Sequence, residues 1–182
     1  MLGNRCGKRL NGYVPDYVLF DLETTGISCE NDKIVEISAV KVKNGKVIEE
    51  FSELVNPECK IPYYASRENG IADEMVKAAR TFDEVLPDFL GFIGDSILVG
   101  HNIQSFDMKF LYRECRELYG ETLANDYVDT LYYSRRKVPK LRHHRLTDMA
   151  EYFDISTAGA HRALNDCRMN QEVFERLSRI GR

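Results

Sequence analysis

The 182-residue sequence predicts a mixed α/β layered domain, and three observations predict it. The run Tyr17-Val18-Leu19-Phe20 is continuously apolar, as strands buried on both faces are. Ile34–Val42 and Val47–Val55 are strand-like segments flanking Asn44-Gly45, a dipeptide that favours a type I′ hairpin turn, so the chain opens as a three-stranded antiparallel meander. After that hairpin, helical stripes alternate with short apolar strands, the pattern of helices layered on a sheet.

The elements follow in order. Residues 1–15 are polar, contain Gly and Asn, and read as a flexible N-terminal leader to a single domain over 16–182. Thr81 with Glu84 has the spacing of a capping box, and Phe82, Val85, Leu86, Phe89, Leu90 and Ile93 follow it as a helical stripe interrupted by Pro87. Ile97-Leu98-Val99 is a short buried strand, followed by a helix from about Phe106 to Tyr119. Tyr127-Val128 is another short strand, and two final helices cover roughly Leu146–Phe153 and Arg162–Ile180. The segment from Arg135 to Arg145, rich in Arg, Lys and His, reads either as a solvated charged loop or as one that tracks phosphates.

Composition narrows the function classes. No stretch approaches the ~20 apolar residues of a membrane span, and the first residues lack the apolar core of a secretory signal. The five cysteines are scattered, with no C-x-x-C pair, and read as reduced thiols of a cytoplasmic protein rather than a disulfide framework or a zinc site. A net charge of −4 argues against a module that grips nucleic acid by overall charge, and suits a site whose acids hold cations.

Four acids carry the chemistry. Asp21 and Glu23 lie where the first strand ends, and alternation along a strand projects both to one face, where two like charges call for a cation between them. Asp107 on its helix shares a stripe with Leu111, Cys115 and Leu118, and a carboxylate on a core-facing stripe needs a partner or a metal. Asp166 aligns with Asn170, Val173 and Leu177 on the inner face of the last helix, with His161 at the helix entrance. Each alone is weak, since an isolated acid is commonly a solvated one or a first-turn residue favoured by the helix dipole. Together they place acids at strand ends and helix starts, where α/β domains build sites, and four acids there suit two Mg²⁺ or Mn²⁺ ions.

These residues also carry a resemblance. Phe20-Asp-Leu-Glu-Thr-Thr-Gly26, Val99-Gly-His-Asn102 followed by Phe106-Asp107, and His161-Arg-Ala-Leu-Asn-Asp166 resemble the three motifs of the DnaQ-like, DEDDh exonucleases, a group that includes the epsilon proofreading subunit of DNA polymerase III and the PolC-type exonuclease domain. The likeness runs from about Tyr17 to the C-terminus, through Leu54-Val-Asn-Pro57, Asn69-Gly-Ile71, Val128-Asp-Thr-Leu131 and Leu146-Thr-Asp-Met-Ala150. Two departures stand out: three residues separate Asn102 from Phe106 where two are usual, and Asn69 stands where many members carry His.

The resemblance implies a ribonuclease H-like fold and a metal-dependent 3′→5′ exonuclease that releases nucleoside 5′-monophosphates from single-stranded DNA ends. It implies Asp21, Glu23, Asp107 and Asp166 as ligands of two Mg²⁺ or Mn²⁺ ions and His161 as general base. Leu22, Thr24, Ile71, Asn102 and Phe106 are the residues it implies at the nucleic acid, with Phe106 and Ile71 packing on the last bases or simply in the core. A DNA polymerase subunit is the implied partner, and no membrane is. Three rivals stay open on the sequence: an RNA-trimming exonuclease of the same family, a non-catalytic nucleic-acid-binding or polymerase-partner module, and an endonuclease on the same fold.

Overall fold

A computed structural model describes residues 2–181; Met1 and Arg182, the outer ends of the expected leader and domain, lie outside them. The strands are β1 (Leu2–Gly3), β2 (Arg9–Leu10), β3 (Tyr17–Thr24), β4 (Ile34–Lys43), β5 (Lys46–Leu54), β6 (Leu98–Gly100), β7 (Thr122–Leu123) and β8 (Tyr127–Asp129). The helices are α1 (Tyr63–Asn69), α2 (Asp73–Val76), α3 (Phe82–Ile93), α4 (Asp107–Tyr119), α5 (Thr130–Lys137), α6 (Leu146–Tyr152) and α7 (Ala163–Arg179). Six strands form one mixed sheet in the order β2-β8-β6-β3-β4-β5, and β1 pairs with β7 apart from it.

The meander is present. β3, β4 and β5 pair antiparallel, and Asn44 and Gly45 both take positive φ at the turn, as a type I′ hairpin requires. β6, β8 and β2 then add parallel to β3. Gly100 closes β6 where a Cβ would sit 2.9 Å from the Phe20 carbonyl, so only glycine allows the two strand ends to come this close.

Side-chain parity on β3 sets the layers. Val18, Phe20 and Leu22 face one way, into a core with Phe89, Ile93, Phe110 and Leu111 of α3 and α4. Tyr17 and Leu19 face the other way, against Met149 of α6 and Cys167, Val173 and Phe174 of α7. Continuing that alternation, Asp21 and Glu23 emerge on the α7 side. A third, small core of Val35, Ile61, Ala65, Ile71 and Val76 lies beneath α1 and α2.

Several elements depart from the sequence reading. Residues 2–3 and 9–10 are paired strands, so the segment expected as a flexible leader is tied to β7 and β8, with Lys8 N–H on Asp126 Oδ1 at 2.7 Å. Residues 135–137 of the expected charged loop are the last turn of α5. The helical stripe, by contrast, is present as expected: α3 runs through Pro87 to Ile93. Leu118, expected on the buried stripe of α4, is 42% exposed, and Cys115 is the last buried residue of that helix.

Candidate active site

The site assembles at the carboxyl end of β3. Between Glu23 and Thr24 the register against β4 slips by a bulge, the kind of irregularity that re-aims side chains beside active sites. Asp21, Glu23 and Asp166 each bring a carboxylate oxygen within 4.8 Å of the others, one pair from β3 and one acid from the first turn of α7. Asp107, at the start of α4, is 3% exposed, and its Oδ1 accepts the Leu22 backbone N–H at 3.1 Å, which fixes α4 to the strand between the two acids of β3.

The extra residue before Phe106 is absorbed in a turn. Asn102 adopts φ 61°, Ser105 N–H closes on the Asn102 carbonyl at 3.1 Å, and Asp129 accepts the N–H groups of Asn102 and Gln104 at 3.0 and 3.1 Å. Asp107 still enters the helix facing inward. His161 is the other site residue with a positive φ, 65°. Non-glycine residues rarely adopt this conformation, and the surroundings must over-determine it. Here the His161 N–H donates to Asp166 Oδ2 at 3.0 Å, while the ring stands half-exposed with Nδ1 3.6 Å from Glu68 Oε1.

Electrostatics mark the same place. Burial, then Asp166, Glu36 and Asp107, push Glu23 up to about 8, with only Arg162 opposing them. Asp107 is pushed up to about 7, mainly by burial, against the N–H groups that stabilise its anion. Asp21 is raised well above the carboxylate range by burial and by Asp107, Glu23, Asp166 and Glu36, and Asp166 is raised by burial too. Several half-buried acids with one cationic neighbour form an arrangement that a divalent cation with oxygen ligands would stabilise, so the donor set fits Mg²⁺ or Mn²⁺.

Sequence reasoning missed Glu36 and Arg162. Glu36 is 2% exposed, lies directly across from Glu23, and accepts Arg162 Nη2 at 2.8 Å, Arg162 Nε at 3.2 Å and the Ala163 N–H at 3.0 Å. It thereby docks the start of α7 on β4 and brings Asp166 to the strand. An acid in the otherwise apolar run Ile34-Val35-Glu36-Ile37 was the available signal.

The residues expected at the nucleic acid divide. Asn102 and Phe106 are partly exposed, with Phe106 packed on Phe110 at 5.1 Å between ring centres. Leu22 is buried with its N–H used by Asp107, and the Thr24 hydroxyl donates to the Gly26 carbonyl at 2.6 Å. Ile71 has no exposed surface and belongs to the small core under α1, so it offers nothing for a base to stack on. Asn69, in the position often held by His, is buried too; its Oδ1 accepts the Ile71 N–H at 3.0 Å and its amide reaches the Thr24 carbonyl at 3.4 Å.

The arrangement matches known proteins. The exonuclease family profile matches residues 18–174. The chain is 37% identical to a DNA polymerase III subunit epsilon from Aquifex aeolicus, over 88% of this chain and 79% of that one. It is 41% identical to a PolC-type DNA polymerase III from Clostridium perfringens over 88% of its own length, but spans only 11% of that relative. Among solved structures, exonuclease X in complex with 5′-overhanging duplex DNA superposes with a TM-score of 0.73 at 25% identity, covering 88% of this chain and 89% of that one. With a ribonuclease H-like sheet, three acids converging from two elements and these relatives, the chain belongs to the exonuclease family, in its DnaQ-like, polymerase III epsilon-type branch.

Proposed function

We propose that this domain is a divalent-metal-dependent 3′→5′ exonuclease that removes nucleoside 5′-monophosphates from single-stranded DNA ends. The observation that carries this reading is the convergence of Asp21, Glu23 and Asp166 within 4.8 Å, in surroundings that disfavour their charges. Asp21, Glu23 and Asp166 would hold one ion, and Asp21 with Asp107 a second. When bound, Mg²⁺ or Mn²⁺ acidifies water and stabilises charge on the phosphate and on the leaving oxygen.

The chain's own residues do the rest. With Nδ1 of His161 turned toward Glu68, Nε2 is the nitrogen left to take a proton from the attacking water. The water oxygen bonds to the terminal phosphorus, the bond from phosphorus to the 3′-oxygen of the preceding nucleotide breaks, and that oxygen takes a proton from solvent. Asn102 and Phe106, both partly exposed, would hold the last nucleotides, with stacking worth ~1–3 kcal/mol per base. The likeness to epsilon and PolC-type chains supports a replicative DNA polymerase as partner and a cytoplasmic place of action. Among the described residues no helix is long and apolar enough to cross a membrane.

The test is digestion of matched 5′-labelled DNA and RNA single strands, with Mg²⁺ or Mn²⁺ and with chelator. A ladder shortening from the 3′ end, faster on DNA and abolished by chelator, is the expected result. His161→Ala should lose ~10²–10⁴-fold in turnover while retaining metal binding, whereas Asp21→Ala should lose metal binding as well. Wild-type turnover in either variant, or cutting of a circular single strand, would overturn the assignment; preference for RNA would move it to RNA trimming.

A further inference from the structure

The basic stretch is not absorbed by the catalytic reading. Six of the 25 Lys and Arg fall within residues 135–145, and none of the 29 Asp and Glu does, in a chain of net charge −4. Three of the six, Arg135, Arg142 and Arg145, line a cleft of about 380 Å³ together with His101, Asn102 and His143. No acid lines it. Among the described residues neither Arg135 nor Arg142 pairs with a carboxylate, and Arg135 instead lies 6.0 Å above the Tyr132 ring.

The wall is held in place. His101 Nε2 donates to the His144 carbonyl at 2.8 Å and Nδ1 lies 2.9 Å from the Thr130 hydroxyl, which donates to Asn170 Oδ1 at 3.0 Å. Burial holds His101 down at about 4, so it stays neutral and keeps both bonds near neutral pH. His144 Nε2 closes on the Leu141 carbonyl at 3.2 Å, and Arg145 is tied to Asp148. The cleft is therefore a preformed cationic surface rather than a floppy charged tail.

Its position gives it a partner. β6 pairs in parallel with β3, Leu19 beside Val99, so β6 delivers His101, one residue past its end, at the same end of the sheet where β3 delivers Asp21 and Glu23. Asn102 lines the cleft, and its N–H is held by Asp129 at 3.0 Å in the turn that leads into Asp107. A strand whose last phosphate meets the four acids has its preceding phosphates within reach of this wall. We infer that the cleft between β6, α5 and residues 138–145 binds the backbone phosphates of the scissile strand upstream of its terminal nucleotide, through Arg135 and Arg142. This rests on the nuclease reading for its direction, and adds to it a length-dependent, sequence-independent grip.

The experiment is binding of labelled oligothymidylates of two to twelve nucleotides, in Ca²⁺ and over a salt series, to the wild-type chain and to a variant carrying Arg135→Gln and Arg142→Gln. The variant should bind dT12 roughly tenfold more weakly, with a salt slope shallower by about 1.4 for two lost phosphate contacts on a single strand, and its deficit should grow with strand length. Arg135→Lys with Arg142→Lys should recover most of the affinity, because a retained charge answers a backbone phosphate, and Lys46→Gln with Lys60→Gln should show no deficit. A deficit equal at every length, no deficit at all, or one seen only on duplexes with a 5′ overhang would overturn the inference. Tight, arginine-dependent binding without nucleotide release would leave the cleft standing and overturn the nuclease reading instead.

Discussion

Glu23 shows most directly what this site asks of its residues. Burial and three neighbouring acids move its carboxyl from an ordinary 4.5 up to about 8, and Asp107 goes from 3.8 to about 7. Raised carboxyl values mean that the folded chain holds protons the unfolded chain has already released. The stability they allow is fully present below about pH 4 and is lost as pH rises through about 7 and 8. The chelated protein should therefore melt at a lower temperature at pH 8 than at pH 5, and Mg²⁺ should restore the difference at pH 8, because a ligand that binds only the folded state stabilises it. Asp21→Asn removes one charge from the cluster, so the chelated variant should melt a few degrees above wild type at pH 8 and gain little from Mg²⁺, at ~2–4 °C per kcal/mol for a chain of this size. Melting curves at the two pH values check both statements; a chelated wild type more stable at pH 8 than at pH 5 would refute them. The four acids were legible as candidates because parity and helix spacing reveal charges on inward faces, whereas His161, exposed at the entrance of α7, was put forward only by the motif it shares with the family. Glu36 and Arg162 were not, because a neutralised buried acid looks in sequence like any other break in an apolar run.

Elements bring these residues together, and α7 does so through its first turn. Arg162 and the Ala163 N–H satisfy the Glu36 carboxylate inside the sheet, which sets where α7 begins and hence where Asp166 points. Arg162→Met leaves Glu36 buried with one donor, and since Arg162 is itself partly exposed the cost should be about 2 kcal/mol rather than the ~3–5 of a fully buried pair. Thermal melting should fall by roughly 4–8 °C, with part regained by adding Glu36→Gln. A melt within a degree of wild type would show that the pair does not anchor the helix. Long periodic elements such as β3, β4, α3, α4 and α7 were readable from pattern. α1 and α5 were not: α1 buries only Ala65 and Asn69, and α5 ends in Arg135, Arg136 and Lys137, so neither presents an apolar stripe. The basic end of α5 is nonetheless favoured there, because cations stabilise a helix C-terminus.

Across the whole molecule, two cores clamp one sheet, and the first ten residues close its far edge. β2 covers β8, the Tyr127 N–H donates to the Lys8 carbonyl at 2.9 Å, and Arg9 reaches Gln104 at 2.8 Å while lying 4.2 Å over the Tyr132 ring. Deleting residues 1–10 removes a few backbone hydrogen bonds at ~1 kcal/mol each and a cation–π contact of similar size, so the melting temperature should drop by about 5–10 °C. It also uncovers β8 as an edge, and light scattering on warming should begin earlier than in the full chain. An unchanged melt would return the segment to the flexible leader that its polar composition indicates. The sequence by itself determined the α/β class, the meander and the family, and put forward four acids and a histidine as the candidate site, because periodicity, turn chemistry and motif spacing are local properties of a chain. Tertiary structure decided which β3 face meets α7, that Asp107 fixes Leu22 rather than joining the trio directly, that Ile71 is core, and that Arg135, Arg142 and Arg145 line one cleft with His101 and Asn102. Each of those depends on distances between residues remote in the chain, which only packing sets.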